Sequence, residues 1–163
     1  MFNEFKYLKS NTKGKIILLC FRISSFFTKN QLVKLIGFPV RVLYKVFVNY
    51  FLGVDIPDSL KVGFALNIFH GQGLVINSDV VIGNYVTLRH NTTIGSAHES
   101  GLCPIISDHV EVGANVVIIG NIKIGENSKI AAGSVVIKDV PSNVLVAGNP
   151  AVIKKYLDVE YSE

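Results

Sequence analysis

The fold of this chain is decided by a stretch that reads INSDVV IGNYVT LRHNTT IGSAHE over residues 76–99. Each group of six begins with an aliphatic residue, and the spacing resumes at residue 106. In four groups the second residue is glycine, and the fifth is usually small or branched. The hexads begin at Ile76, Ile82, Leu88, Ile94, Ile106, Val112, Ile118, Ile124, Ile130 and Val136. A repeat this short predicts a parallel β-helix, in which each hexad forms one strand and a corner, and three hexads complete a coil.

Two irregularities interrupt the hexads. Ile56, Val62, Ile68 and Leu74 also lie six apart, but the later frame starts at Ile76, so the register slips by two residues. We expect a corner of different length close to His70. The repeat also stops over residues 95–105, which are polar and contain glycine. Because loops that leave a solenoid usually lie on its binding face, this segment is predicted to be functional. An ordinary sheet would also fit alternation, but the recurring aliphatic–glycine pair favours the β-helix.

Composition limits the function classes. The 163 residues are 49% hydrophobic and carry a net charge of +4. Residues 1–54 contain nine basic residues and one acid, whereas basic residues in the repeat are too sparse for a nucleic-acid interface. The two cysteines do not form a disulfide framework, and the apolar run over residues 16–21 is too short to span a membrane. We therefore expect a cytoplasmic protein without a signal peptide.

The chain divides into three predicted segments. Residues 1–53 form a helical N-terminal cap of two or three short helices, with breaks at Gly14, at residues 28–30 and at residues 37–39. Residues 54–146 form the β-helix with its loop at 95–105. Residues 147–163 form a turn and a tail, for which we expect a final helix lying back along the coils.

Four histidines are candidates for chemistry. His70 lies between two nearby glycines, where a ligand can approach the backbone, and the others are His90, His98 and His109. By spacing alone each of them is a surface corner residue more often than a catalyst. A zinc site shared between subunits is the alternative, but no Cys-x-x-Cys or His-x-x-x-His pair supports it, and we predict no metal.

Three blocks make residues 54–153 resemble the catalytic half of the serine acetyltransferase family, within the hexapeptide-repeat acyltransferases. They are VDIP at residues 54–57, HGQGLVI at residues 70–76, and AAGSVV with AGNPA at residues 131–136 and 147–151. The resemblance implies a left-handed β-helix, a homotrimer, and acetyl-CoA bound in the groove between adjacent subunits. It implies acyl transfer to a hydroxyl and says less about the acceptor.

Carried over by position, His70 would be the general base and Asp55 its carboxylate partner. The two are 15 residues apart, nearly one 18-residue coil, so we expect them to be stacked neighbours. A carboxylate beside histidine fixes its tautomer and stabilises the imidazolium that forms during proton transfer. The residues predicted to bind coenzyme A are Gly95, Ser96, Ala131, Ala132, Gly133, Lys138, Gly148, Asn149, Pro150 and Lys154. Those predicted to bind the acceptor are Phe69, Arg89, His90 and Cys103.

Two departures from the family pattern bear on the acceptor. The aspartate that precedes the catalytic histidine in serine acetyltransferases is Phe69 here, and the His-Pro pair after the loop is Cys103-Pro104. Both polar contacts to serine would be lost, and an aromatic ring suits the apolar face of a sugar. We therefore predict an acetyltransferase acting on a saccharide of a cell-surface polysaccharide. The alternatives are serine acetyltransferase and a non-catalytic β-helix assembly module, against which the Asp55 and His70 pair argues.

The charge of residues 1–52 raises a further possibility. These residues combine eight net positive charges with many aliphatic and aromatic side chains. One interpretation is a cap with a solvated basic face. The other is a helical pair lying on the anionic inner leaflet of the cytoplasmic membrane, as a peripheral contact.

Overall fold

The computed structural model describes residues 2–99 and 101–158, and it is a left-handed parallel β-helix preceded by short helices. A 3₁₀ helix, Phe2–Tyr7, is followed by α1 (Thr12–Phe26), α2 (Gln31–Ile36), α3 (Phe38–Tyr44) and a π-helical segment, Lys45–Phe51. The strands are β1 (Val54–Asp55), β2 (Lys61–Val62), β3 (Asn67–Phe69), β4 (Leu74–Ile76), β5 (Val81–Ile82), β6 (Thr87–Arg89), β7 (Thr93–Gly95), β8 (Ile105–Ile106), β9 (Glu111–Val112), β10 (Val117–Ile119), β11 (Lys123–Ile124), β12 (Lys129–Ile130), β13 (Val135–Val136), β14 (Val144–Gly148) and β15 (Ala151–Tyr156).

The strands form three sheets that are the faces of a triangular prism. Sheet A has the order β1-β4-β7-β10-β13, sheet B the order β11-β8-β5-β2, and sheet C the order β15-β14-β12-β9-β6-β3. All pairs are parallel except β14 with β15. Each coil thus contributes one strand to each face, as the hexads predicted. We call the corner between sheets C and A the C/A edge, and the corner between sheets A and B the A/B edge.

The aliphatic residues that begin the ten hexads point into the prism, and each is at most 2% exposed. The residues four positions later are also buried, including Ser128 and Ser134. Their hydroxyls donate to backbone carbonyls of Gly125 and Ala131, at 2.6 and 2.7 Å. A buried hydroxyl therefore satisfies itself within its own turn and leaves no charge in the core.

Coil length confirms both irregularities. Val54 pairs with Leu74, so the first coil takes 20 residues, whereas Val75 pairs with Thr93 after 18. The two additional residues lie in the corner that carries His70. Thr93 pairs with Val117 after 24 residues, because the segment between β7 and β8 leaves the coil and returns in register.

The N-terminal helices cover the first coil. Ile17, Leu18 and Phe21 of α1 are at most 2% exposed and belong to the same core as β1 and β3. The expectation of a break at Gly14 was wrong, because this residue lies in the first turn of α1. A β-carbon there would overlap the carbonyl oxygen of Ile68, so glycine allows the helix to touch β3.

Two ion pairs fasten this segment to the coil. Arg41 Nε lies 2.7 Å from Asp58 Oδ2, and Ser24 Oγ donates to the same oxygen at 2.8 Å. Burial alone would raise the pKa of Asp58, but hydrogen bonds from Arg41 and Ser24 and the arginine charge outweigh it and lower the pKa. Arg22 pairs with Glu4 at 2.7 Å in the same way. None of the helices described is long and apolar enough to cross a membrane.

The tail differs from the expected helix. Residues 151–156 form β15, which pairs antiparallel with β14 and closes sheet C. The last five residues of the expected tail, 159–163, lie outside the described part of the chain.

Candidate active site

His70 occupies the one lengthened corner on the C/A edge, directly after β3. Its backbone φ is +68°, in the left-handed region that residues other than glycine, asparagine and aspartate seldom adopt. Gly71 and Gly73, on either side of Gln72, also have positive φ. The corner therefore turns the imidazole out of the regular coil and leaves it exposed.

The ring of His70 has two side-chain neighbours. Its Nδ1 lies 3.1 Å from Nδ2 of Asn11, the residue that caps the N-terminus of α1. The His90 ring, from the same corner of the next coil, is 5.8 Å away centroid to centroid. Nδ1 of His90 is buried and has no hydrogen-bond partner among the described residues. A buried nitrogen of this kind beside His70 is available to a bound hydroxyl.

Asp55 does not stack on His70 as expected. It pairs with Val75 across sheet A, and its Oδ1 accepts a hydrogen bond from Asn49 Nδ2 at 2.9 Å. The hydrogen bonds of the described residues include none between Asp55 and His70. The expected register failed because the lengthened corner moves His70 out of step with β1. The two residues nevertheless flank one corner, since the N–H of Gly73 donates to the carbonyl of Gly53 at 2.8 Å.

The predicted acceptor residues fall on two different edges. Phe69 and Arg89 pair in sheet C, with the guanidinium carbon 5.2 Å from the centre of the phenyl ring. Together with His90 they adjoin His70. Cys103 instead ends the loop on the A/B edge, where it is 8% exposed and burial raises the pKa of its thiol. The thiol is therefore neutral at physiological pH and separated from His70 by the width of sheet A.

Phe69 and Arg89 also line an open groove of about 930 Å³ along the outer face of sheet C. Its walls are polar and aromatic: Tyr85 stacks on His109 with the rings 4.9 Å apart, and Glu111 pairs with Lys129 at 3.0 Å. Flat rings beside hydrogen-bonding side chains suit a ligand with apolar and hydroxyl faces. The sequence analysis did not predict this groove, because its residues come from different coils.

The predicted coenzyme A residues also divide between the edges. Ala131, Ala132 and Gly133 follow β12, and Gly148, Asn149 and Pro150 follow β14, so all six lie on the C/A edge with His70. The first set is three coils from His70, about 14 Å at the usual strand spacing. Ser134 links the two sets, since its Oγ donates to Ala131 and accepts from the N–H of Gly148 at 3.2 Å. Gly95, Ser96 and Lys138 lie on the A/B edge, and Lys154 lies on the exposed strand β15.

Two residues of this site were missed by the sequence analysis, namely Asn11 and Asn49. Helix capping was the only signal for Asn11, and nothing in the sequence marks Asn49. Within the described residues no group of three His, Cys, Asp or Glu side chains is placed to hold a metal ion.

Comparison with known proteins gives the family. Residues 103–138 match the bacterial transferase hexapeptide family, which has six repeats. The chain is 40% identical over 143 residues to the putative colanic acid biosynthesis acetyltransferase WcaB of Escherichia coli K12, covering 85% of this chain and 88% of WcaB.

Serine acetyltransferases match over a shorter part of their length. Serine acetyltransferase 4 of Arabidopsis thaliana is 43% identical over 113 residues, or 68% of this chain and 32% of the plant protein. The crystal structure of Brucella abortus serine acetyltransferase in complex with coenzyme A superposes with a TM-score of 0.76 at 33% identity, covering 90% of this chain and 57% of that one. This chain therefore belongs to the hexapeptide-repeat family of acetyltransferases.

Proposed function

We propose that this protein transfers the acetyl group of acetyl-CoA to a hydroxyl of a saccharide in cell-surface polysaccharide synthesis. One observation carries the proposal: the imidazole of His70 projects from the only lengthened corner of the described coils, at the end of a groove lined by polar and aromatic residues. The same edge carries Ala131–Gly133 and Gly148–Pro150, where the thioester donor is proposed to bind.

In the proposed reaction His70 takes the proton of the acceptor hydroxyl as its oxygen attacks the thioester carbonyl carbon. The C–O bond forms and the carbonyl oxygen takes the negative charge of the tetrahedral intermediate, which backbone N–H groups near Gly95 stabilise. The intermediate then expels the coenzyme A thiolate, and the imidazolium returns the proton to that sulfur. Asp55 remains ionised beside the corner and favours the imidazolium electrostatically.

We propose a homotrimer, because the site is divided within one chain. His70 and most of the proposed coenzyme A residues lie on the C/A edge, whereas Gly95, Ser96 and Cys103 lie across sheet A on the A/B edge. A ring of three subunits brings the C/A edge of one subunit against the A/B edge of the next. Acetyl-CoA then binds between them, and each acceptor site uses the loop of a neighbouring subunit.

Sugar is favoured over serine as the acceptor for two reasons. WcaB, named for colanic acid biosynthesis, matches this chain over nearly its full length, whereas the serine acetyltransferases are matched over a third to two thirds of theirs. The Arg89 guanidinium and the Phe69 ring also form a surface without a carboxylate for the ammonium group of serine. Serine acetylation is the alternative, supported by the likeness to the serine acetyltransferases.

The test is release of coenzyme A from acetyl-CoA in the presence of L-serine, nucleotide sugars or lipid-linked oligosaccharides. Turnover with one of the glycans, and a rate with serine near the background hydrolysis, is expected. Efficient turnover of L-serine alone would replace the saccharide with the alternative. Release with no acceptor tested would contradict both.

We also propose that the enzyme is cytoplasmic and rests on the inner face of the membrane through its helices. Seven large apolar side chains of α2, α3 and the π-helical segment are more than 60% exposed: Leu32, Leu35, Ile36, Phe38, Leu43, Tyr50 and Phe51. Lys34 and Lys45 lie among them, and each lysine close to an anionic leaflet contributes about 1 kcal/mol of binding free energy.

Sedimentation with vesicles that contain anionic lipid tests this contact. Replacing Leu35 and Leu43 by glutamate is expected to abolish binding, and Leu102→Glu, an equally exposed leucine in the loop at 68%, is the matched control. Equal sedimentation of all three proteins would leave these helices as a cover for the coil alone.

A further inference from the structure

Two asparagines of the helical segment each hold one member of the proposed catalytic pair. Nδ2 of Asn11 is 3.1 Å from Nδ1 of His70, and Nδ2 of Asn49 is 2.9 Å from Oδ1 of Asp55. The residues that approach the catalytic side chains most closely therefore come from outside the β-helix.

The orientation of the Asn11 amide follows from its second contact. Its Oδ1 accepts the backbone N–H of Gly14 at 2.9 Å, as the N-cap residue of α1. A helix N-cap requires an acceptor, so the oxygen faces the helix and the NH₂ group faces the ring. Because the NH₂ group can only donate, Nδ1 of His70 is the acceptor and carries the lone pair. The proton of the neutral ring is then on Nε2.

The backbone holds this contact in place. Gly14 lies against the carbonyl of Ile68 so closely that no side chain fits between them. Ile68 is two residues before His70 on β3. The start of α1 and the His70 corner are thus joined both by backbone contact and by the Asn11 side chain, so the ring has little freedom to turn.

We propose that Asn11 is a positioning residue that fixes the orientation and the tautomer of His70. The inference rests on the proposed function only in taking His70 as the base. Since the lone pair is on Nδ1, the acceptor hydroxyl donates to that nitrogen from the side of α1, and its oxygen accepts from the Asn11 amide. The acceptor site accordingly lies between the N-terminus of α1 and the C/A edge.

Matched substitutions separate this role from helix capping. Asn11→Ser keeps a good N-cap and removes the donor to His70. Asn30→Ser makes the same change at the N-cap of α2, where Oδ1 of Asn30 accepts from the N–H of Val33 at 2.9 Å away from the site. With a glycan acceptor, kcat of Asn11→Ser is expected to fall about fivefold or more, the effect of one hydrogen bond, with an unchanged KM for acetyl-CoA. Equal kcat values for the two variants would overturn the proposal.

A second measurement does not depend on turnover. In ¹⁵N spectra of the full chain above pH 8, assigned by comparison with His70→Gln, Nδ1 of His70 should be unprotonated and Nε2 protonated. Asn11→Asp keeps the cap but replaces the donor by an acceptor, so Nδ1 should become protonated. A wild-type ring protonated at Nδ1 would overturn the proposal. If His70→Gln kept full turnover while the spectra were as expected, the proposed catalytic role would fail and the contact would stand.

Discussion

His70 and His90 occupy equivalent corners of successive coils, with ring centroids 5.8 Å apart and planes inclined at 79°. His70 is exposed and bonded to Asn11, whereas Nδ1 of His90 is buried without a partner among the described residues. Two histidines so close together can be assigned different roles only by their contacts. Those contacts make His70 the candidate base and His90 a candidate for binding the acceptor.

Replacing His70 by alanine should therefore lower kcat by about 10²–10⁴, the usual effect of losing a general base, with coenzyme A affinity retained. His90→Ala should mainly raise the KM for the acceptor. Steady-state kinetics and calorimetric titration with coenzyme A measure both. The assignment would be reversed by a His90→Ala enzyme that loses kcat while His70→Ala keeps it.

Phe69→Asp should weaken turnover of the glycan acceptor, because it replaces the ring beside Arg89 by a carboxylate that pairs with the guanidinium. Combined with Cys103→His, the change restores the two polar residues of the serine-specific pattern, and a low rate with L-serine is expected. Wild-type protein and Phe69→Leu, which keeps an apolar side chain, are the controls. Unchanged glycan kinetics in Phe69→Asp would remove Phe69 from the acceptor site.

Acid should loosen the helical segment through Asp58. Because its pKa is lowered in the folded state, its stabilising contribution is present above its unfolded pKa of about 4 and is lost as the pH falls through the lower, folded pKa. Asp58→Asn should lower the free energy of unfolding near pH 7 by about 2–3 kcal/mol and flatten its acid dependence. Urea unfolding between pH 3 and 7 measures this.

The exposed pair Glu111 and Lys129 provides the control for that measurement. Both side chains are about half exposed, at 52% and 49%. Glu111→Gln should change the free energy of unfolding by less than about 0.5 kcal/mol at any pH in the range. A Glu111 effect as large as that of Asp58 would mean that general charge, and not the buried pair, sets the acid response.

Gly14→Ala should destabilise the protein by about 1–3 kcal/mol, although alanine favours a helix over glycine by about 1 kcal/mol, because the methyl group overlaps the Ile68 carbonyl. Thr12→Ala, an exposed change in the same turn, is the control. Thermal unfolding followed by circular dichroism measures both, and a Gly14→Ala protein as stable as Thr12→Ala would contradict the contact.

Most of the β-helix was predictable because its information is local. A hexad carries its inward residue and its corner within six positions, so Ile76 through Val136 could be placed from spacing alone, and the lengthened corner at His70 appeared as a slip of two. Contacts between distant segments leave no such period. The asparagines at positions 11 and 49 meet the site only because α1 and the π-helical segment fold onto the first coil. The register of Asp55 failed for the same reason, and a strand was missed at β15 because its pairing is antiparallel.

Strand β15 has a consequence for how the molecule ends. A stack of parallel coils presents, at its last strand, the same hydrogen-bonding edge that each coil offered to the next, which is a template for polymerisation. Here the last edge of sheet C is occupied by a strand running the opposite way, with Lys154 and Lys155 on it, both exposed. A second copy docking in parallel would meet reversed polarity and positive charge. The tail thus acts as a terminator that limits fibre growth along sheet C.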